Sequence, residues 1–231
     1  MAEARSRALL LRRIPYGDSS LICHLLSESH GRISLLARGA RRVRSPFRAT
    51  LEPLYMLHVR WRPGRTGMGY LQEAIRGSAL LPQSRMLAGL ELLAMAKGLY
   101  REQDPHGFAE VCTALRCLAE GRMPGAKWAA MWRLLELCGW VGGMEACWSC
   151  NREVAHTSAM FWRDGLLLCP ACGRGRMVRP ETRLRMRALL AGAAPDLPVE
   201  DGHLWREMIV SVLGKHHIRL PDLDQQNYHW A

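Results

Sequence analysis

The sequence predicts an α+β protein in three parts: an N-terminal five-stranded barrel, a central helical bundle and a four-cysteine module of the zinc-ribbon kind. Three observations predict it. Short apolar segments separated by Pro and Gly turns fill the first third of the chain. From residue 80 onward apolar residues recur at helical intervals instead. Finally, two Cys-x-x-Cys pairs stand eighteen residues apart. With 231 residues, the chain can bury one full core and carry smaller modules beside it. Apolar residues make up 48% and charged residues 23%, which excludes a disordered or fibrous chain.

The barrel is read from segments 5–13, 20–26, 31–37, 51–61 and 69–73, with Pro15-Tyr16-Gly17-Asp18, Ser29-His30-Gly31 and Pro63-Gly64-Arg65-Thr66-Gly67 as turns. Five strands of that length suit a small barrel of the oligonucleotide-binding (OB-fold) type. Between the third and fourth strands, the segment 38–48 holds Arg38, Arg41, Arg42, Arg44 and Arg48 and no acid. A run of one sign repels itself unless a partner supplies counter-charge. Arg12, Arg13, Arg60, Arg62 and Arg65 form a second group of candidate DNA contacts. Tyr16, Phe47, Tyr55, Trp61 and Tyr70 offer ring faces for bases, although strand alternation sends some of them into the core.

Helical periodicity follows in Leu87, Leu90, Leu93, Ala94 and Lys97, then in Phe108, Val111, Cys112 and Leu115, then in Trp128, Met131, Trp132, Leu135 and Leu137. Pro105, Pro124 and Gly139 mark the breaks. Segments 181–190 and 202–213 predict two further helices that pack on this bundle, and residues 221–231 show no periodicity and predict a frayed tail. The expected divisions are therefore 1–78 for the barrel, 79–144 for the helices, 145–178 for the four-cysteine module and 179–231 for the C-terminal part.

Cys147, Cys150, Cys169 and Cys172 have the spacing of a zinc site, since each pair offers two thiolates from one short turn and the spacer can form a hairpin. Asp164-Gly165 is the expected hairpin turn. Four thiolates fill a tetrahedral Zn²⁺ and leave no place for water, so this zinc is expected to be structural. A reducing compartment disfavours disulfides, and neither pair opens a βαβ unit of the redox kind. Cys23, Cys112, Cys117 and Cys138 lie among apolar neighbours and are expected to pack in cores.

Charge gives the first functional signal. The formal net charge is +11, and residues 1–78 carry fourteen Arg against five acids, whereas residues 79–144 carry seven basic against six acidic residues. Such a surface draws in a polyanion, nucleic acid above all. No apolar run is long enough to span a membrane, and the N-terminal apolar patch is too short for a signal peptide, so a bacterial cytoplasmic, nucleoid-associated protein is expected. Enzyme signatures are missing: Gly214-Lys215 lacks the rest of a phosphate-binding loop, and no His-x-Glu accompanies the Cys pairs. Asp222, Asp224, His216 and His217 read as surface rather than metal ligands. A zinc-ribbon transcription or RNA-binding factor is the alternative reading.

The stretch Tyr16-Gly17-Asp18-Ser19-Ser20, the segment 35–45, Leu51-Glu52-Pro53-Leu54, the helical stretch 134–140 and the two Cys pairs, in this order, resemble the RecO family of bacterial recombination mediators. The resemblance runs from residue 1 to about residue 180. Departures are Asp18 for the usual Glu, Arg38 for Lys, Glu52 for Gln, and Ala130-Met131 for Phe-Glu. What the resemblance implies is an N-terminal OB fold, a helical domain and a zinc motif. It also implies binding of single- and double-stranded DNA, annealing of complementary strands, partnership with RecR, recognition of the C-terminal tail of single-strand binding protein, and RecF as a further candidate partner. Lys127 and Arg133 are candidates for that tail by their location.

Overall fold

The computed structural model describes residues 3–65, 67–102 and 104–219; the predicted tail, with Asp222 and Asp224, lies outside the described residues. The chain parts into two compact units, one built on Met1–Leu115 and the other on Arg116–Leu220.

In the first unit, β1 (Ala4–Tyr16), β2 (Ser20–Ser27), β3 (Gly31–Ala37), β4 (Tyr55–Arg62) and β5 (Gly69–Ala79) close into a barrel of order β1-β2-β3-β5-β4. Every strand of a closed barrel has two neighbours, and the long β1 divides its length between them. Its first half pairs with β4 through Ala8↔Leu57, and its second half pairs with β2 from Ala8↔Ser27 to Tyr16↔Ser20. A register shift between Leu10 and Arg12 supplies the bend. β3 then meets β5 in parallel at Leu35↔Gly69 and Leu36↔Tyr70. Strand alternation fills the interior with Ala8, Leu10, Cys23, Leu25, Leu35, Leu57, Val59, Trp61 and Leu71. Three boundaries differ from expectation: β1 runs on through Pro15 and Tyr16 of the expected turn, where it still pairs with β2. Residues 51–54 are not strand, because the chain first makes a helical turn, α1 (Phe47–Thr50), and β5 runs on to Ala79 along β4.

α2 (Met86–Leu99) packs on β1 and buries Ala88, Gly89, Leu92, Leu93, Met95 and Ala96. That stripe differs from the predicted one: Leu87 is 70% exposed. Small residues decide the orientation, since a Cβ on Gly89 would lie 2.4 Å from Leu81 and 2.8 Å from Leu54. α3 (Phe108–Glu120) follows.

In the second unit α4 (Gly125–Leu137), α5 (Pro180–Leu190) and α6 (Val199–Lys215) pack together around Trp132 and Trp205, both wholly buried. Between α4 and α5 lies a small antiparallel sheet of β6 (Met160–Arg163), β7 (Leu166–Leu168) and β8 (Arg176–Val178), in the order β7-β6-β8. Asp164 (φ 50°) and Gly165 (φ 72°) make the two-residue turn between β6 and β7, the left-handed pair that matches strand twist. The third strand, β8, was outside the sequence expectation of a plain hairpin.

Candidate metal centre and nucleic-acid interface

The four cysteines converge at one end of this sheet. Their sulfurs all lie within 4.8 Å of one another, and Cys150 Sγ is 3.9 Å from Cys169 Sγ. A tetrahedral ion with metal–sulfur bonds of about 2.3 Å would hold its sulfurs about 3.8 Å apart, so the donor set fits such an ion. Each pair sits in a tight turn of its own: Asn151 N–H donates to Cys147 O (2.8 Å), and Cys172 N–H donates to Cys169 O (3.1 Å). Burial disfavours a Cys147 thiolate, but the surrounding hydrogen bonds from the Cys169, Cys150 and Ser149 backbone outweigh it and bring this thiol down to about 6. Cys172 is pushed up to about 12, chiefly by hydrogen bonds with Cys150 and Cys169. The four cysteines can hold a metal ion. Cys23 is buried in the barrel, where burial pushes its thiol up to about 12; Cys112, Cys117 and Cys138 are half-buried.

Trp148, inside the first pair, ties the centre to the helices. Its backbone N–H donates to Leu167 O (2.9 Å) and its indole to Gly143 O (2.8 Å). Its ring lies 6.2 Å from Trp132 and 5.8 Å from Trp162, and Trp132 reaches Trp205 at 6.4 Å. From α5, the buried Arg183 donates to the carbonyls of Val154 (2.8 Å), Ala155 (2.8 Å) and Ser158 (3.0 Å), fixing the segment between the first Cys pair and β6.

The basic segment of the first unit is a built platform. Ala40 N–H donates to Ala37 O, Arg42 to Gly39 O, Ser45 to Arg42 O and Arg48 to Ser45 O, a succession of turns that ends in α1. Buried Ala40 and half-buried Phe47 anchor it on the barrel core, and Arg41 N–H donates to Ser19 O (2.8 Å) in the β1–β2 turn. Arg38, Arg41, Arg42, Arg44 and Arg48 are all exposed, and among the described residues none of them meets a carboxylate. Arg38 lies over the Tyr70 ring at 4.8 Å. Because Tyr70 pairs with Arg62 across β4 and β5, Arg62, with Arg65 just beyond it, extends the same end of the barrel.

The other candidate arginines sit elsewhere. Arg13 is half-buried and donates to Leu51 O (2.8 Å) and Glu52 (3.1 Å). Arg60 is held between Glu73 (3.0 Å) and Glu3 (3.1 Å). Arg12 is exposed on β1 opposite His24. The aromatic residues divide in the same way: Trp61 is core, Phe47 and Tyr55 pack against it, and Tyr16 (52%) and Tyr70 (40%) are exposed. OB barrels commonly take oligonucleotides on the outer face of strands two and three and on the adjoining loops. Here part of that face is covered. Arg32 donates to the carbonyls of Lys97 (2.9 Å) and Tyr100 (2.8 Å), Ser34 donates to Glu102, and a Cβ on Gly31 would lie 1.5 Å from Asp104 O. What remains open is the barrel end with the platform and the loops beside it.

Residues 1–79 match the family model for the N-terminal domain of recombination protein O. Three relatives are each named DNA repair protein RecO. Those of Actinobacillus pleuropneumoniae serotype 7 and Glaesserella parasuis serovar 5 are 39% and 37% identical over 100 residues, 43% of this chain and 38% of theirs. That of Acidithiobacillus ferrooxidans is 33% identical over 167 residues, 69% of this chain and 64% of its own length. The N-terminal domain is that of the RecO family, and similarity to RecO proteins extends over 167 residues.

The match thus spans less than two thirds of these RecO relatives. The OB-fold barrel and the cysteine cluster are the parts that the sequence predicts. The tryptophan cluster, the Arg183 clamp and the cover over β3 were not foreseen. Trp148 lies inside the first Cys pair and Trp162 in the spacer between the pairs, a signal that such rings would share their core. No helix among the described residues is long and apolar enough to cross a membrane.

Proposed function

We propose that this chain is a DNA repair and recombination mediator of the RecF pathway. It binds single- and double-stranded DNA, anneals complementary strands and helps a recombinase replace single-strand binding protein, with no catalytic step of its own. The observation that carries this reading is the platform between β3 and β4, five exposed arginines without acidic partners among the described residues, beside Tyr16 and Tyr70.

Two complementary strands repel each other, and a surface that displaces their condensed counterions lets them share one site. Arg41, Arg42, Arg44 and Arg48 take phosphates, joined by Arg62 and Arg65, while Arg38 on Tyr70 offers a flat stack for a base. Arg12 lies to the side, and Arg13 and Arg60 contribute less because carboxylates already hold them. The ion at Cys147, Cys150, Cys169 and Cys172 is Zn²⁺ in this reading, structural and fully ligated by thiolates. The working modules are 1–78, 79–144, 145–178 and 179–231, acting in the bacterial cytoplasm at the nucleoid.

RecR, RecF and the tail of single-strand binding protein are the partners of this reading. An acidic tail with an apolar end suits a groove rimmed by cations. The groove of about 560 Å³ lined by Arg176, His203, Arg206, Glu207, Val210 and Ser211 offers basic side chains beside the exposed Val210, although Glu207 already pairs with Arg176. Arg133 suits such a rim less well, since Glu136 (2.6 Å) and Leu190 O (2.7 Å) already take its guanidinium. Lys127 lies over Trp128 at 4.7 Å.

Strand annealing tests the reading. The protein should accelerate pairing of complementary oligonucleotides both bare and coated with single-strand binding protein. DNA binding without any acceleration would contradict it.

A further inference from the structure

Five exposed arginines account for phosphate binding by the platform, but they do not account for Val43. This side chain is 82% exposed, more than any other large apolar side chain described, at the centre of a polar segment. Single apolar residues on a surface are ordinary. Three features set this one apart.

The first is its position in the turn. Ser45 N–H donates to Arg42 O (3.0 Å), which puts Val43 and Arg44 at the two corners, where the chain projects farthest. The second is rigidity behind that tip. The preceding turn closes through Arg42 N–H to Gly39 O (3.0 Å), Ala40 is buried, Arg41 N–H is held by Ser19 O, and Phe47 packs on the barrel core just after. Valine itself adds stiffness, because branching at Cβ restricts χ1. The third is its company, with Arg42 and Arg44 on either side and Arg41 and Arg48 nearby, all exposed.

We propose that Val43 is a wedge for duplex DNA: with its neighbouring arginines seated on phosphates, it enters between stacked base pairs and opens the step. This inference rests on the DNA-binding reading above and adds a role to the same platform. Apolar side chains presented beside arginines unstack base steps in this way, and the bent duplex then meets more of the protein. Unstacking is easiest at flexible or mismatched steps. A rigid apolar tip therefore makes the annealing surface prefer imperfectly paired or deformable duplex, while the arginines alone would hold all sequences alike. Tyr16 and Tyr70, the exposed rings at the same barrel end, are placed to receive a base that leaves the stack.

The test uses the full chain and a duplex with 2-aminopurine beside a central step, either matched or mismatched. Wild type should raise the fluorescence on binding, with more of a rise and tighter binding on the mismatched duplex. V43S should bind matched duplex almost as tightly but lose both the rise and the mismatch preference, and V43L should restore them. Binding by wild type with no rise, or an equal rise with V43S, overturns the wedge and leaves the DNA-binding reading standing. No DNA binding by wild type overturns both.

Discussion

Arg183 is wholly buried, and its hydrogen-bond acceptors are backbone carbonyls alone, those of Val154, Ala155 and Ser158. Burial and the charge of Arg187 lower its pKa, yet a guanidinium starts so high that it stays charged. The guanidinium meets the three carbonyls from two nitrogens held apart in one plane, whereas a lysine ammonium would have to reach all of them from a single nitrogen, so lysine replaces it only in part. Arg183→Ala should lower unfolding free energy by about 3 kcal/mol, since buried carbonyls without partners are costly, and Arg183→Lys should recover only part of it. Chemical denaturation measures both. Nothing in the sequence marks this residue among 29 arginines, because its role depends on which loop lies against α5. The four clustered cysteines are the opposite case. Their spacing is local, and a Cys-x-x-Cys turn has the same geometry wherever it occurs.

At the scale of elements, what could be read from sequence was whatever strand alternation and turn chemistry fix locally. The segments 20–26 and 31–37 carry both signals, and β2 and β3 lie there almost to the residue. Two features escaped because they depend on partners distant in sequence. α2 turns its alanines and Gly89 inward, since close packing on Leu54 and Leu81 favours small residues over Leu87. Gly31, read as turn punctuation, also makes room for Asp104 O, part of the segment that covers β3. The basic segment is a chain of turns ending in α1, a firmer support for the arginines than a plain connection between strands.

The metal centre belongs to this scale too, because it unites two turns, a sheet and the tryptophan cluster. Metal analysis should find one Zn²⁺ per chain. Thiolate zinc contributes on the order of 10 kcal/mol to isolated modules, so chelation or Cys147→Ser should depress the melting temperature sharply. Trp148 adjoins a ligand and touches Trp132 and Trp162, so tryptophan emission should change in step with metal loss, while DNA binding by the barrel persists in part. A metal-free chain with full thermal stability would contradict this.

For the whole molecule, the charge asymmetry of the sequence and the position of the platform tell one story. The basic excess lies in residues 1–78, and five exposed arginines that meet no carboxylate among the described residues stand together between β3 and β4. Sequence alone could not separate these from Arg13 and Arg60, which spend their charge on Glu52, Glu3 and Glu73. The most direct test is the salt dependence of single-stranded DNA binding, measured by fluorescence anisotropy for wild type and for a chain with Arg41, Arg42, Arg44 and Arg48 all changed to Ala. Each phosphate contact on single strands contributes about 0.7 to the slope of log K against log salt, so the variant should lose a slope of roughly 3. Its affinity should fall alike for unrelated sequences, because phosphate contacts carry no sequence information. A variant with the wild-type slope and the wild-type affinity would contradict the claim that this platform is where the chain holds DNA.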